Sequence, residues 1–126
     1  MDNSPKRTFR KSERLCSKKV IDALFAGGNK SFSAYPLRVV YMENSEPGVK
    51  VLISVSKRHF KHAVDRNRAK RQVREAYRHH KQILTERVQQ QQTLAVAFIW
   101  LSDQPFESAA VEKSVRKLLG KVAERL

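Results

Sequence analysis

The chain has 126 residues, which suits a single domain, residues 1–126, that buries a core without disulfides or metal ions. Its 26 basic and 12 acidic residues give a formal net charge of +14, which favours a polyanionic partner. A single cysteine excludes an internal disulfide framework and favours the reducing cytoplasm, and no apolar run is long enough to span a membrane.

The first segments are a basic arm and a short helix. Residues 1–11 combine Pro5 with four basic residues and little to bury, so we expect a flexible basic arm. Ser17 is a suitable N-cap for a helix with apolar residues at helical spacing, which are Val20, Ile21, Leu24 and Phe25. Gly27 and Gly28 then favour a helix end, because glycine tolerates positive φ.

Two strands are predicted next, at residues 35–42 and 49–56. In both stretches apolar residues alternate with other residues, which is the period of a strand. The segment 43–48 between them contains Asn44, Ser45, Pro47 and Gly48, a turn composition. The sequence therefore predicts an antiparallel hairpin of these two strands.

The stretch 65–81 predicts a helix with two different faces. One face carries side chains three or four residues apart, which are Asn67, Arg71, Arg74, Arg78 and Lys81. The other face is apolar and comprises Ala69, Val73, Ala76, Tyr77, Ile83 and Leu84. Like charges at this spacing destabilise an isolated helix, so the pattern favours binding of a nucleic acid over a merely solvated face.

The last third of the chain predicts a connector, a strand and a helix. Residues 89–92 are four glutamines, and the apolar run 94–101 suits a central strand covered on both faces. Ser108 can cap a final helix whose apolar stripe is Val111, Val115, Leu118, Leu119 and Val122, with Lys121 and Arg125 near its C-terminus. The order of elements indicates an α+β fold with helices packed on a small sheet.

Histidines and acids give no pattern of a catalytic centre. The four histidines, His59, His62, His79 and His80, lie in or beside the basic region, where a metal site is disfavoured because no thiol or carboxylate completes a ligand set. The twelve acids are scattered singly. We expect no catalytic residue and no metal site formed by the protein alone.

Four aromatic residues have two interpretations each, as core residues or as platforms for nucleobases. Trp100 ends the most apolar run, which favours the core. Phe32 stays open, and Tyr41 and Phe25 would equally suit the core or a groove for single-stranded nucleic acid.

The segment 53–58, Ile-Ser-Val-Ser-Lys-Arg, is followed by Asp65-Arg66-Asn67-Arg68-Ala69-Lys70-Arg71 and Arg74. This combination closely resembles the protein component of bacterial ribonuclease P, with its Arg-Asn-Arg motif after a Ser-Val-Ser-Lys strand end. The resemblance extends over most of the chain. It implies a small mixed sheet with packed helices in the order α-β-β-(β)-α-β-α, with a left-handed βαβ crossover as in the second domain of ribosomal protein S5.

The resemblance also implies a function. Proteins of this family bind a catalytic RNA, and the holoenzyme is an endoribonuclease that removes the 5′ leader of precursor tRNA. The RNA performs the hydrolysis with Mg²⁺, which the RNA mainly binds. The implied partners are therefore the catalytic RNA and precursor tRNA, with no membrane and no obligate protein partner.

By this resemblance, two groups of residues contact RNA. The RNA-binding group is Lys57, Arg58, Arg66, Asn67, Arg68, Lys70, Arg71, Arg74 and Arg78. The leader-cleft group is Ile21, Phe25 and Tyr41. The chain departs from the family in its loop 58–62, which lacks a common glycine, in aliphatic Ile21 where relatives often have an aromatic residue, and in Trp100-Leu101-Ser102 where a basic pair is frequent.

Composition alone supports two other functions. A ribosomal protein or a general RNA chaperone would have the same charge, and only the leader-binding subunit would prefer precursor over mature tRNA. A self-sufficient nuclease is disfavoured by the scattered acids.

Overall fold

The computed structural model describes residues 13–27, 29–43, 48–88 and 93–126. The helices are α1 (Lys18–Phe25), α2 (Ala63–His80), α3 (Gln82–Thr85) and α4 (Ser108–Glu124). The strands are β1 (Lys30–Ala34), β2 (Leu37–Glu43), β3 (Gly48–Ser54) and β4 (Thr93–Trp100). The predicted arm, most of the predicted turn 43–48 and the glutamine connector lie outside the described residues.

The four strands form one mixed sheet in the order β1-β2-β4-β3. The β1–β2 and β2–β4 pairs are antiparallel, and β3 pairs with β4 in parallel. The predicted α+β fold with a small mixed sheet is confirmed. The chain passes from β3 through α2 and α3 to β4, and the left hand of this crossover stays a prediction.

The predicted hairpin between residues 35–42 and 49–56 is wrong. Strand β4 lies between β2 and β3, so these two strands do not pair. Strand β2 instead forms a hairpin with β1, with Phe32 opposite Val39 and Tyr35 in the connecting turn. The physical reason is burial: β4 is apolar on both faces, and a central position covers both.

Each face of the sheet packs against a different set of helices. On one face, Leu94, Val96, Phe98 and Trp100 of β4 join a core cluster with α2 and α4. On the other face, the small residues Ala95 and Ala97 pack in a second cluster with Leu24 of α1. The prediction of a central strand covered on both faces is confirmed.

The ends of α1 follow their predicted chemistry. The Ser17 Oγ accepts a hydrogen bond from the Val20 backbone N–H at 3.4 Å. Gly27 follows the helix with φ of 94°, a value that side-chain-bearing residues rarely adopt. Asn29 Nδ2 donates to the carbonyl oxygens of Ala23 and Leu24, which satisfies acceptors at the helix end.

The predicted N-cap of α4 is wrong by one residue. Glu107 has the extended cap conformation and makes no side-chain cap bond, and Ser108 is the first helical residue. The Ser108 Oγ instead accepts a hydrogen bond from Gln72 Nε2 at 3.2 Å. The same Nε2 atom donates to the Phe106 carbonyl at 2.7 Å, so a contact between helices replaces the local cap.

Candidate nucleic-acid interface

Helix α2 is anchored along its apolar face. Ala69, Val73, Ala76 and Tyr77 are buried in the core, and Leu84 of α3 continues the same surface. Tyr77 packs at 6.1 Å from Phe98 between ring centroids, and burial raises the pKa of its hydroxyl. Because this face is fixed to the sheet, the opposite face of α2 is held outward.

The outward face carries four of the predicted cations and one amide side chain. We call this row the α2 ladder, and its members are Asn67, Lys70, Arg71, Arg74 and Arg78. Asn67 and Arg71 are exposed, and the others are half-buried. Arg68 lies beside the ladder and is also exposed. In the part of the chain that the structure describes, no carboxylate forms an ion pair with Arg68, Lys70, Arg71 or Arg74, so their charges are available to a ligand.

Two cations at the C-terminal end of this face have carboxylate partners. Arg78 donates to Glu75 at 2.8 Å, and this hydrogen bond holds the pKa of the Glu75 carboxyl below its usual value. Lys81 donates to Glu13 at 2.6 Å, across 68 residues of sequence. Lys81, which the helical spacing places on the same face, is therefore already engaged within the protein.

Arg66 has a role that sequence spacing did not reveal. Its Nη1 donates to the carbonyl oxygens of Phe60 and Lys61, both at 2.9 Å. These bonds tie the start of α2 to the preceding loop. The remaining guanidinium nitrogens of Arg66 can still contact a phosphate, because the guanidinium has five N–H donors.

The loop 56–62 is held in place without the glycine common in the family. Phe60 is buried and packs against Trp100 with 6.0 Å between ring centroids. His59 Nδ1 contacts Asp103 Oδ1 at 2.7 Å, which joins the loop to the segment after β4. The neighbouring Lys57 and Arg58 are exposed beside the start of α2 and extend its basic surface.

The two histidines at the end of α2 contact α4, and His79 Nε2 also lies 3.1 Å from Arg78 Nη2 in the ladder. His80 Nε2 contacts Glu112 Oε1 at 2.8 Å, and His79 Nδ1 lies 3.9 Å from the same oxygen. His62 is the N-cap residue of α2. Spacing along one helix could not predict the contacts with Glu112, because that residue lies 32 positions away from His80.

The three predicted leader-cleft residues do not lie together. Ile21 packs in the cluster on the α1 side of the sheet, and Phe25 at the end of α1 is 47 % exposed. Tyr41 is only 4 % exposed and belongs to the cluster on the opposite face, beside Phe32. Its side chain alternates with those of Val40 and Met42, so Tyr41 cannot share a cleft with Ile21 and Phe25.

Half-buried residues on the α1 side form a surface that the sequence did not single out. Met42, Leu52 and Ile99 project from three neighbouring strands and pack around the α1 cluster. Ile21 packs around the same cluster, and Phe25 is exposed at the end of α1. The alternation of each strand was visible in the sequence, but the order of the strands was not.

The remaining features concern metals and membranes. Within the described ranges, no group of three or more His, Cys, Asp or Glu side chains is arranged to hold a metal ion. No helix in those ranges is both long and apolar enough to cross a bilayer.

The fold and the unpaired cations define a small basic α+β protein of the kind that binds RNA. The family model described as Ribonuclease P matches residues 9–123. The chain is 42 % identical to a ribonuclease P protein component of Porphyromonas gingivalis over 127 residues, covering 98 % of this chain and 92 % of that protein. The chain belongs to the ribonuclease P protein family, whose role is in tRNA processing.

Solved structures agree in fold. An RNase P protein from Staphylococcus aureus superposes with a TM-score of 0.71 at 22 % identity, covering 90 % of this chain and 97 % of that one. The RNase P protein from Thermotoga maritima gives a TM-score of 0.69 at 21 % identity, covering 86 % and 96 %.

Proposed function

We propose that this chain is the subunit that binds the catalytic RNA of ribonuclease P and the 5′ leader of precursor tRNA. The observation that carries the proposal is the α2 ladder, whose Arg71 and Arg74 have no carboxylate partner among the described residues. A guanidinium fork binds phosphate oxygens in pairs, which suits a folded RNA backbone. In a bacterium this role belongs in the cytoplasm, where precursor tRNA is made.

The hydrolysis itself is assigned to the RNA, with Mg²⁺ bound mainly by RNA. The described side chains do not fit a Mg²⁺ centre, because their carboxylates do not cluster. The protein's contribution is therefore to position RNA. Arg71 and Arg74 bind phosphates, and Asn67 can donate and accept a hydrogen bond at a sugar or base edge.

We assign leader contact to the α1 side of the sheet. Phe25 is exposed there and presents a ring for base stacking, while Ile21 offers apolar packing only. Tyr41, which the family resemblance implied for the same cleft, faces the other side and is left out of this surface.

The proposal is tested by reconstitution with the catalytic RNA of the same organism. At low Mg²⁺ the wild-type chain should stimulate 5′ cleavage of precursor tRNA, and Arg71→Gln/Arg74→Gln should reduce RNA affinity by more than tenfold and lose most of the stimulation. The double variant Lys18→Gln/Lys19→Gln removes the same charge from exposed positions on α1 and serves as control for affinity for the catalytic RNA, because α1 is assigned to the leader and not to that RNA. Absence of stimulation by the wild-type chain would refute the proposal.

A further inference from the structure

A second row of cations lies on α4, and we call it the α4 ladder. Its members are spaced four residues apart and are Lys113, Lys117, Lys121 and Arg125. All are exposed except the half-buried Lys121. Across the described ranges, none of the four forms an ion pair with a carboxylate.

Helix stability does not account for this row. Cations near a helix C-terminus interact favourably with the helix dipole, but that effect is confined to the last turn and so covers only Lys121 and Arg125. Lys113 and Lys117 lie further back, where like charges four residues apart are destabilising. This basic row is about 18 Å long. Binding of a ligand therefore explains it better than helix stability does.

The two ladders lie on neighbouring helices that pack on the same face of the sheet. Gln72 and His80 of α2 bond to Ser108 and Glu112 of α4, and Arg71 lines a pocket with the same two α4 residues. Helix α4 packs on β1 and β2, and Lys121 Nζ lies 6.0 Å from the ring centroid of Phe32 in β1. Helix α2 contacts β3 at the other edge of the sheet, roughly 14 Å from β1 across three strand gaps.

The α4 ladder ends at a pocket of about 520 Å³ that Tyr41 and Arg125 line. The Tyr41 Oη is buried and has no hydrogen-bond partner among the described residues. Burial raises the pKa of Tyr41 and Arg125 opposes that rise, so the hydroxyl keeps its proton at neutral pH. Lys30 and Arg125 line the same pocket, against one carboxylate, Glu43.

A pocket whose wall includes two cations and a tyrosine with an unsatisfied hydroxyl is a suitable receptor for one phosphate group. A buried hydroxyl without a partner costs free energy, and a charged acceptor would recover it. Glu43 is exposed, so its charge is screened by solvent and does not cancel both cations.

We infer that the α4 ladder and the Tyr41 pocket form a second RNA site, which binds the sugar–phosphate backbone of an RNA segment other than the one held by the α2 ladder. The inference rests on the proposed RNA-binding function. The α4 ladder runs towards β1, whereas α2 packs against β3 at the other edge of the sheet, so the two rows lie apart along the helical layer.

The test is hydroxyl-radical footprinting of the catalytic RNA with the full-length chain. Wild type should protect two separate RNA regions. Lys113→Gln/Lys117→Gln should lose one region only and should reduce the magnitude of the slope of log affinity against log salt by about 1.4 to 1.8. Arg71→Gln/Arg74→Gln should lose the other region. The control Lys18→Gln/Lys19→Gln should retain both.

Tyr41→Phe tests the pocket separately from the α4 ladder, since it removes only the hydroxyl. We expect RNA affinity to fall by about tenfold, while the melting temperature of the free protein stays the same or rises because a buried group without a partner has been removed. If Tyr41 has only a structural role, this variant will bind RNA with unchanged affinity. That result would refute the pocket as part of the second RNA site.

Failure of this inference is distinct from failure of the proposed function. If the α2 variant loses protection and the α4 variant keeps the full wild-type footprint, the second site is refuted and RNA binding by α2 stands. If wild type gives no protection at all, both are refuted.

Discussion

At the scale of single residues, the charged side chains of α2 divide into those with partners inside the protein and those without. Arg78 is bonded to Glu75, and Lys81 is bonded to Glu13. Arg71 and Arg74 have no carboxylate partner in the described ranges. Helical spacing put all four cations on one face, but only the positions of the acids separate a structural cation from one available to RNA.

The Arg78–Glu75 bond predicts a pH effect. The Arg78 hydrogen bond lowers the pKa of Glu75, so this pair stabilises the fold above the carboxyl's ordinary pKa, and that contribution is lost as pH falls through the lowered value. In Arg78→Met the pKa of Glu75 should rise towards its ordinary value. A carbon-13 NMR titration of the Glu75 carboxyl measures this pKa.

Lys81→Met is the matched control, because Lys81 pairs with Glu13 and not with Glu75. It should leave the Glu75 titration unchanged. Identical Glu75 titrations in wild type and Arg78→Met would contradict the assigned cause.

At the scale of elements, one face of α2 is fixed to the core and the opposite face carries the α2 ladder. Val73 is 0 % exposed and packs in the main core, whereas Val64 in the first turn of the same helix is 78 % exposed. Substitutions at these two valines therefore separate the effect of core packing from the effect of removing a valine from the helix. The apolar face determines how rigidly the arginines are presented.

We expect Val73→Ala to lower the free energy of unfolding by about 2 kcal/mol, from lost burial and the cavity that remains. Val64→Ala should change it by less than about 0.5 kcal/mol, because that side chain is already in solvent. Urea denaturation measures both. Equal losses in the two variants would show that α2 is not anchored through Val73.

At the scale of the whole molecule, the sheet separates the two surfaces that we propose for RNA contact. The helical layer carries the basic ladders, and the α1 side carries an apolar surface with Phe25 at its edge. Cations bind any backbone, whereas an aromatic ring needs an unpaired base. A single-stranded 5′ leader supplies such bases, and mature tRNA lacks that segment.

This separation predicts selective effects on substrate. In the holoenzyme, Phe25→Ala should weaken precursor tRNA binding by about tenfold and leave mature tRNA binding unchanged, since stacking on one base contributes about 1–3 kcal/mol. Tyr35→Ala is a matched control, because Tyr35 is also exposed but lies in the β1–β2 turn. Equal losses for the two RNAs in Phe25→Ala would remove it from the leader surface and favour a general RNA-binding protein.

Features with a local origin were predictable from the sequence. The buried stripes of α2 and α4, the Ser17 cap and the central apolar strand all depend on residues within a few positions of one another. The Arg-Asn-Arg motif after the Ser-Val-Ser-Lys strand end indicated the family, and it too lies within a short stretch of the sequence. These patterns are set by helix and strand periods, which the chain carries by itself.

Features that join distant segments were decided only by the tertiary structure. Strand β4 lies between β2 and β3, which no local pattern indicated. Helix α1 packs on the face of β2 that carries Val40 and Met42, which leaves Tyr41 on the opposite face, although Ile21, Phe25 and Tyr41 matched one cleft by resemblance. The engagement of Lys81 at the end of α2 depended on Glu13, and the position of the α4 ladder depended on β1. Strand order and ion pairs result from competition among long-range contacts across the whole core, and no local period encodes that outcome.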